Sequence, residues 1–395
     1  MKRLLVLMSV MSLFLFGCSG GSEDTNQPES TGTETETVET EEKEDTEKSG
    51  DLETLKVSYI FTNHQTPLMV AAQLGDKITT DDSKVYLEEV VPKEKFILKD
   101  GDKDIANVEL VVAKSGSETT TMLAQKHVDI SMASNTAFVT ARDQGTPVKI
   151  LAPVHTEGIG FVVPKDSELQ SWDDMIAKIG EKEEPLKVGY HSPTSAPIML
   201  LEGALEDAGI SYTKNPSEID KDILLVDLKG TNNLIPALTS SQVDAWVGPS
   251  PYPELAQTEG VGKIILDMKD VPPEGKWHDF PCCVVASRED VIEEKEPVVQ
   301  EFVELIANAA SYAEENHEEA AIVTSDFIGI DEEAAKISKI KYTADPSEQW
   351  VNNMEVTFQT LKDTNSIEQK FKDMPYEDFA KEMYEFKFID KVLNK

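Results

Sequence analysis

From residue 54 to about residue 289, short apolar runs alternate with amphipathic segments, and this alternation limits the fold more than any other feature. Residues 55–61 (LKVSYIF), 108–113 (VELVVA), 148–154 (VKILAPV) and 186–190 (LKVGY) read as strands, as do 223–228, 263–266 and 283–286. Residues 67–74, 117–125, 137–144, 197–208 and 234–240 between them carry the apolar spacing of helices. Strand and helix in alternation give parallel, right-handed βαβ units, so the expected class is α/β. Beyond Glu289 helical segments follow one another, at about 297–317, 331–340 and 348–363. They are expected to pack on the first sheet rather than to form a separate domain.

The two halves of this region share an order of parts. A shift of 115 positions lays Lys114-Ser115-Gly116 against Lys229-Gly230-Thr231, Leu123 against Leu238, and Val128-Asp129 against Val243-Asp244. Ser134-Asn135-Thr136 then meets Pro249-Ser250-Pro251. Each half runs strand, polar loop, helix, strand, polar tip. In open α/β sheets ligands gather at the carboxyl ends of the strands, so the two tips are expected to face each other across a cleft.

The chain opens MKRLLVLMSVMSLFLFGC, with a basic start at Lys2 and Arg3, an apolar run too short for a good membrane span, and a small residue before Cys18. This is the layout of an export signal. Residues 19–53 hold 13 acidic residues, two lysines and a single aliphatic residue before Leu52. Such a stretch cannot bury enough apolar area to offset its ordering entropy and reads as a disordered tether. Of the formal charge of −37, Lys2 and Arg3 supply +2 and the tether −11, which leaves −28 on residues 54–395. A body this acidic repels phosphate backbones, which excludes nucleic acid as a partner. The sequence also lacks Gly-x-Ser-x-Gly, Gly-x-x-x-x-Gly-Lys and His-Glu-x-x-His, so nothing in it points to turnover.

Several pieces, in order, resemble the extracytoplasmic solute-binding proteins of ABC importers, in the group for nitrate, sulfonate, taurine and thiamine-pyrimidine precursors. They are PLMVAAQLG at 67–75, MLAQKHVDISMASNT at 122–136, GFVVP at 160–164, SWDD at 171–174, VGY at 188–190 and CVVASR at 283–288. The resemblance spans nearly all of residues 54–310. It implies a two-lobed periplasmic-binding-protein fold of type II, with two hinge strands, a ligand cleft between the lobes and extra C-terminal helices. Lobe one is expected at 54–161 and 284–395, and lobe two at 162–283, with hinge strands at 160–164 and 282–287. Residues 1–18 then resemble a lipoprotein signal peptide with Cys18 lipidated, which places the protein outside the cell membrane on a lipid anchor. A host with one membrane and a thick wall fits the long tether. The implied partners are a small-molecule ligand and a permease with its ATPase, and the protein is expected to act as a monomer. Two other readings stay open: a surface lipoprotein that senses or adheres, and an enzyme like the pyrimidine synthases of thiamine biosynthesis, which share the fold. The latter rely on a longer cysteine cluster than this chain has.

Candidate ligand contacts follow from the expected cleft edge. The loop after the first strand offers Asn63, His64 and Gln65, and the tip after residue 133 offers Ser134, Asn135 and Thr136, at a helix N-terminus. The second half offers His191, Ser192, Thr194 and Ser195, then Ser250 and Tyr252. Any one Ser or Thr is most simply an N-cap, but all of these fall on one edge. The return segment WHDFPCC adds His278, Phe280 and Cys282. Only Arg142 and Arg288 follow Arg3, so a bidentate anion clamp is hard to build, and a planar heterocycle such as a pyrimidine suits the edge better.

Four of the six histidines, His64, His155, His191 and His278, flank strands on that edge, and with Cys282 and Cys283 they could in principle ligate a metal. No pair has His-x-His or Cys-x-x-Cys spacing, so the expectation is polar cleft residues with no metal and no cofactor. The paired cysteines are open to three readings: small buried hydrophobes, a vicinal disulfide, or thiols that touch a ligand or metal. Pleating points neighbours to opposite faces, so Cys282 is expected to line the cleft and Cys283 to pack into lobe one.

Overall fold

The computed structural model describes residues 52–179 and 184–394, so the export signal, Cys18 and nearly all of the tether lie outside the described residues. The strands in chain order begin with β1 (Thr54–Ile60), β2 (Val85–Val91), β3 (Lys95–Asp100), β4 (Lys103–Ala113) and β5 (Ile130–Ser134). Next come β6 (Val148–Pro153), β7 (His155–Glu157), β8 (Ile159–Pro164), β9 (Leu186–Tyr190) and β10 (Tyr212–Thr213). The last are β11 (Ile223–Asp227), β12 (Ala245–Pro249), β13 (Gly262–Asp267), β14 (Cys283–Arg288) and β15 (Ile340–Tyr342).

They build two main sheets, one ordered β2-β3-β4-β1-β5-β14-β6 and the other β10-β11-β9-β12-β8-β13. The inner order is the same in both. β4-β1-β5 and β11-β9-β12 run parallel, and each is followed by a strand that arrives from across the molecule and runs antiparallel, β14 in the first sheet and β8 in the second. β5 and β12 span 130–134 and 245–249, so the shift of 115 is kept at both ends. Helices cover both faces of these strands, which is why β1, β5 and β12 read as apolar runs rather than as alternating patterns.

Helix starts follow local chemistry. The Ser115 and Ser171 hydroxyls accept from the N–H groups of Glu118 and Asp174 and so cap the helices Gly116–Ala124 and Trp172–Lys178. Pro67 and Pro197 sit in the first turns of Thr66–Leu74 and Ala196–Ala208, where a missing N–H costs nothing. The chain leaves the first sheet through β7, where Glu157 (φ 66°) and Gly158 (φ 80°) make a left-handed turn into β8. It returns through residues 268–282 to β14.

The β2–β3 hairpin is absent from the sequence reading. Val85, Leu87, Phe96 and Leu98 are buried while their neighbours are half-buried or exposed, a period-two pattern on an edge hairpin that is too polar to stand out. The C-terminal helices depart from expectation. Glu296–Glu315 does pack against the first-sheet side, but Glu348–Asp363 packs on Ala196–Ala208, a helix of the second sheet. The stretch expected as a helix at 331–340 gives only Glu332–Lys336 and then β15, which lies antiparallel along β7.

Candidate functional site

The residue after β1 turns into the short 3-10 helix Asn63–Gln65, which buries three polar side chains in a row: Asn63, His64 and Gln65 are each no more than 3 % exposed. Their partners differ. Asn63 Nδ2 donates to Ser338 Oγ at 2.8 Å, so this side chain turns towards the C-terminal helices. Gln65 finds no hydrogen-bond partner for either end of its amide. His64 Nε2 lies 2.7 Å from the Gly158 carbonyl. A carbonyl only accepts, so Nε2 carries the proton and Nδ1 presents its lone pair.

That lone pair faces sulfur. His64 Nδ1 is 3.5 Å from Cys282 Sγ and 3.8 Å from Cys283 Sγ. Both thiols are free and buried. The expected split of the pair between two faces is therefore corrected: Cys282 precedes the regular strand, which starts at Cys283, and without a pleat between them both sulfurs reach one histidine. His155 completes the group, its ring 4.2 Å from that of His64 and edge-on to it. Its Nδ1 donates to the Thr156 carbonyl at 3.2 Å, and its buried Nε2 has no hydrogen bond of good geometry, although Cys283 lies close enough to influence its protonation. Burial pulls the His155 and His191 imidazoles below their ordinary range, His191 to about 4, so both are neutral at physiological pH. Burial pushes the Cys282 thiol up. For Cys283 burial acts the same way but is outweighed by Cys282 and the two imidazoles, which hold it low.

The tip after β5 is fixed to the same place. Asn135 N and Nδ2 donate to the Cys282 carbonyl at 2.8 and 3.1 Å, and Nδ2 also to the Pro281 carbonyl at 2.7 Å. Its Oδ1 has no partner. Thr136 Oγ1 donates to the Thr194 carbonyl at 2.7 Å, Ser134 Oγ accepts from Ala196 N at 3.2 Å, and Ser117 Oγ meets Ser192 Oγ at 2.9 Å. Ser195 Oγ donates back to the Ser192 carbonyl at 2.8 Å. From the other tip, the Ser250 carbonyl accepts from Asn63 N at 3.1 Å and Tyr252 Oη donates to the Phe61 carbonyl at 3.2 Å. Contacts between elements of the two sheets thus shut the cleft, and His191 and Ser192 are at most 5 % exposed within it. Hollows of about 270 and 530 Å³ lie nearby, but neither is lined by His64, Asn135 or His191.

Most of the expected contacts come together here, and two do not serve. His278 is exposed and its Nε2 lies 3.4 Å from Asp270. Phe280 is buried in the hydrophobic core and takes part through its carbonyl, which accepts from Glu157 N at 3.2 Å. Sequence reasoning left out His155, Cys283 and Ser117 as contacts. His155 and Cys283 were legible as edge residues able to ligate a metal but not as partners of His64, because their spacing along the chain is unrelated to their meeting in space. Neither arginine reaches the cleft. Arg142 binds Glu289 and Glu382, and Arg288 binds Asp129 and Asp290.

Comparison with known proteins fits this geometry. A ligand-binding component of an ABC-type import system from Staphylococcus aureus, solved with zinc bound, superposes with a TM-score of 0.65 at 14 % identity, over 86 % of this chain and 99 % of that one. A periplasmic nitrate-binding protein from Synechocystis PCC 6803 gives 0.66 at 15 % identity, over 87 % and 89 %. An alkanesulfonate-binding protein from Xanthomonas axonopodis pv. citri, bound to MOPS, gives 0.60 at 14 %, over 81 % and 96 %. The two sheets with a cleft between them are the two-lobed periplasmic-binding-protein fold of these neighbours. An uncharacterised protein of Methanocaldococcus jannaschii is 32 % identical over 119 residues, which are 30 % of this chain and 81 % of that one. The NMT1-like family model matches residues 48–325, and the chain belongs to that family.

Proposed function

We propose that this chain is the solute-capturing component of an ABC importer. In this reading the lobe built on the first sheet and the lobe built on the second close over a small polar solute and release it to a permease with its ATPase. A lipid on Cys18 and the acidic tether hold the body at the outer face of the membrane, and the cleft binds its solute without converting it. One observation carries the reading: buried polar atoms without protein partners, on Gln65, Asn135 and His191, lie where elements of the two sheets meet. Buried donors and acceptors are nearly always paired, so a group of orphans at a closing interface suits a solute with matching polar edges. Amides and neutral imidazoles, with both arginines engaged elsewhere, favour an uncharged planar heterocycle of the pyrimidine class over nitrate or a sulfonate.

Mass spectrometry of small molecules released from the natively purified full chain, followed by titration calorimetry, tests this. A pyrimidine is expected to bind, and Gln65→Ala to weaken it by about 1–3 kcal/mol, since the Gln65 amide makes no bond to the protein that its loss would break. Binding of nitrate or taurine alone would overturn the heterocycle. Equal binding by wild type and Gln65→Ala would overturn the site.

A further inference from the structure

His64, His155, Cys282 and Cys283 offer one donor atom each, and those four atoms all lie within 4.8 Å of one another, every one of them buried. They come from three separate segments: the turn after β1, the outgoing strand β7, and the return segment entering β14. We propose that His64 Nδ1, His155 Nε2, Cys282 Sγ and Cys283 Sγ form a tetrahedral binding site for one zinc(II) ion at the floor of the cleft.

Distances fit first. Bonds of about 2.0–2.1 Å to nitrogen and 2.3 Å to sulfur place neighbouring ligand atoms of a tetrahedron about 3.3–3.8 Å apart. The two sulfurs stand 3.5 and 3.8 Å from His64 Nδ1. The longest separation in the group, 4.8 Å at most, needs to shorten by only about 1 Å, within reach of side-chain rotation. Orientation agrees. Histidines that bind metal normally donate their other N–H to a carbonyl or carboxylate, which fixes the tautomer and aims the free nitrogen. Both rings do so here, His64 through Nε2 to Gly158 and His155 through Nδ1 to Thr156, which leaves His64 Nδ1 facing the sulfurs and His155 Nε2 buried with no hydrogen bond of its own.

The donor set and the charge then select the ion. Two thiols and two imidazoles with no carboxylate suit a borderline-soft ion and not calcium or magnesium. Zinc(II) binds both cysteines as thiolates, any proton still on sulfur passing to solvent, and the dication with two thiolates and two neutral imidazoles sums to zero. A neutral complex tolerates full burial without a counter-ion, whereas copper(I) in the same ligands would leave one unpaired negative charge. This site does not depend on which solute the cleft takes, and it is read with the metal alone.

The full chain, stripped with chelator and kept reduced, is titrated with zinc chloride while bound metal, released protons and melting temperature are recorded. One zinc per chain, no more than two protons released and a raised melting temperature are expected. Removal of a direct ligand should cost at least as much as loss of an outer-shell partner, so Cys282→Ser, Cys283→Ser and His155→Ala should each weaken binding about 100-fold or more. The exposed His127→Gln variant should bind as wild type does. Cobalt(II) provides a readout that does not rely on folding of the variants, because only tetrahedral thiolate ligation gives intense visible bands together with sulfur-to-metal charge transfer. A body this acidic can also collect zinc on surface carboxylates. Zinc binding that survives all three ligand variants, or a cobalt spectrum without thiolate bands, would overturn the proposal.

Discussion

The tip after β5 and the tip after β12 stand at equivalent places in two sheets of the same inner order, yet they are fastened differently. Asn135 sends its backbone and side-chain N–H groups to the Pro281 and Cys282 carbonyls, which enter β14 of its own sheet. Asn135 is thus fixed in its own frame, whereas its neighbours Ser134 and Thr136 reach Ala196 and Thr194 on the other side of the cleft. Ser250 and Tyr252 instead reach the Asn63 amide and the Phe61 carbonyl, in the loop of the opposite sheet. These contacts bridge the cleft, so opening it would break them together with the bonds of Ser134 and Thr136 to Ala196 and Thr194. Asn135 therefore holds a shape, and Ser250 and Tyr252 hold a closure. Equal geometry along the chain has been put to unequal use.

The largest expected effect tests the rigid side. Asn135→Ala leaves two buried carbonyls with fewer donors and should cost about 2–4 kcal/mol of stability by urea unfolding. A loss below about 0.5 kcal/mol would mean that the first tip is not a structural fixture. Next comes the turn between the sheets. At Gly158 (φ +80°) an added Cβ would lie 2.6 Å from Ile340 Cγ1 and 3.1 Å from His64 Nε2. Gly158→Ala should destabilise by about 1–3 kcal/mol and weaken whatever depends on His64. An alanine variant as stable as wild type would remove this turn from the account.

Tyr252→Phe sharpens the comparison from the other side. The hydroxyl donates to the Phe61 carbonyl and accepts from Thr231 Oγ1 at 3.0 Å, and loss of these two partly solvated bonds should lower stability by about 1–2 kcal/mol while it favours the open form. Small-angle scattering without added solute should give a larger radius of gyration than wild type. A drop in stability as large as that of Asn135→Ala, with no change of radius, would erase the difference between the tips.

The smallest effect is one of pH. Glu254 accepts from Ser250 Oγ at 2.7 Å through Oε1, while its other oxygen is buried without a partner. Burial raises its carboxyl above the ordinary range, so the folded state holds the proton more tightly than the unfolded state does. Stability from this group is greatest below the unfolded carboxyl value and falls as pH rises through the folded one. Glu254→Gln should therefore raise the melting temperature slightly at pH 7 and have little effect near pH 4. A gain of the same size at both values would contradict the assignment.

Much of the fold could be read from the residues because it rests on local signals. LKVGY at 186–190 is β9 residue for residue, and the 115-residue shift matches β5 to β12. The site was legible as an edge and not as a constellation. Asn135, Thr136 and Ser192 followed from where polar residues trail apolar runs, but whether they take a solute or lock the sheets together depends on packing. His64, His155 and the two cysteines could be read as residues of one edge, together with His191 and His278, but not as a group of four in contact, because they lie up to 219 positions apart and only the two chain crossings bring them together. For the paired cysteines the expectation failed on a local detail. The pleat argument holds inside a strand, and Cys282 lies one residue before it.

β15 has a mechanical consequence. It lies along β7, with Ile340 beside Glu157 and Tyr342 beside His155, and Asn353 beyond it donates to the His278 and Asp279 carbonyls at 3.1 and 3.0 Å. Both chain crossings are thus splinted by one C-terminal segment, and residues 326–395 fall outside the stretch that the family model matches. Two bare crossings behave as a free pivot. A pivot with a brace across it has a restoring torque and a limited travel, so in the proposed closing motion the stiffness would be set largely by residues away from the solute.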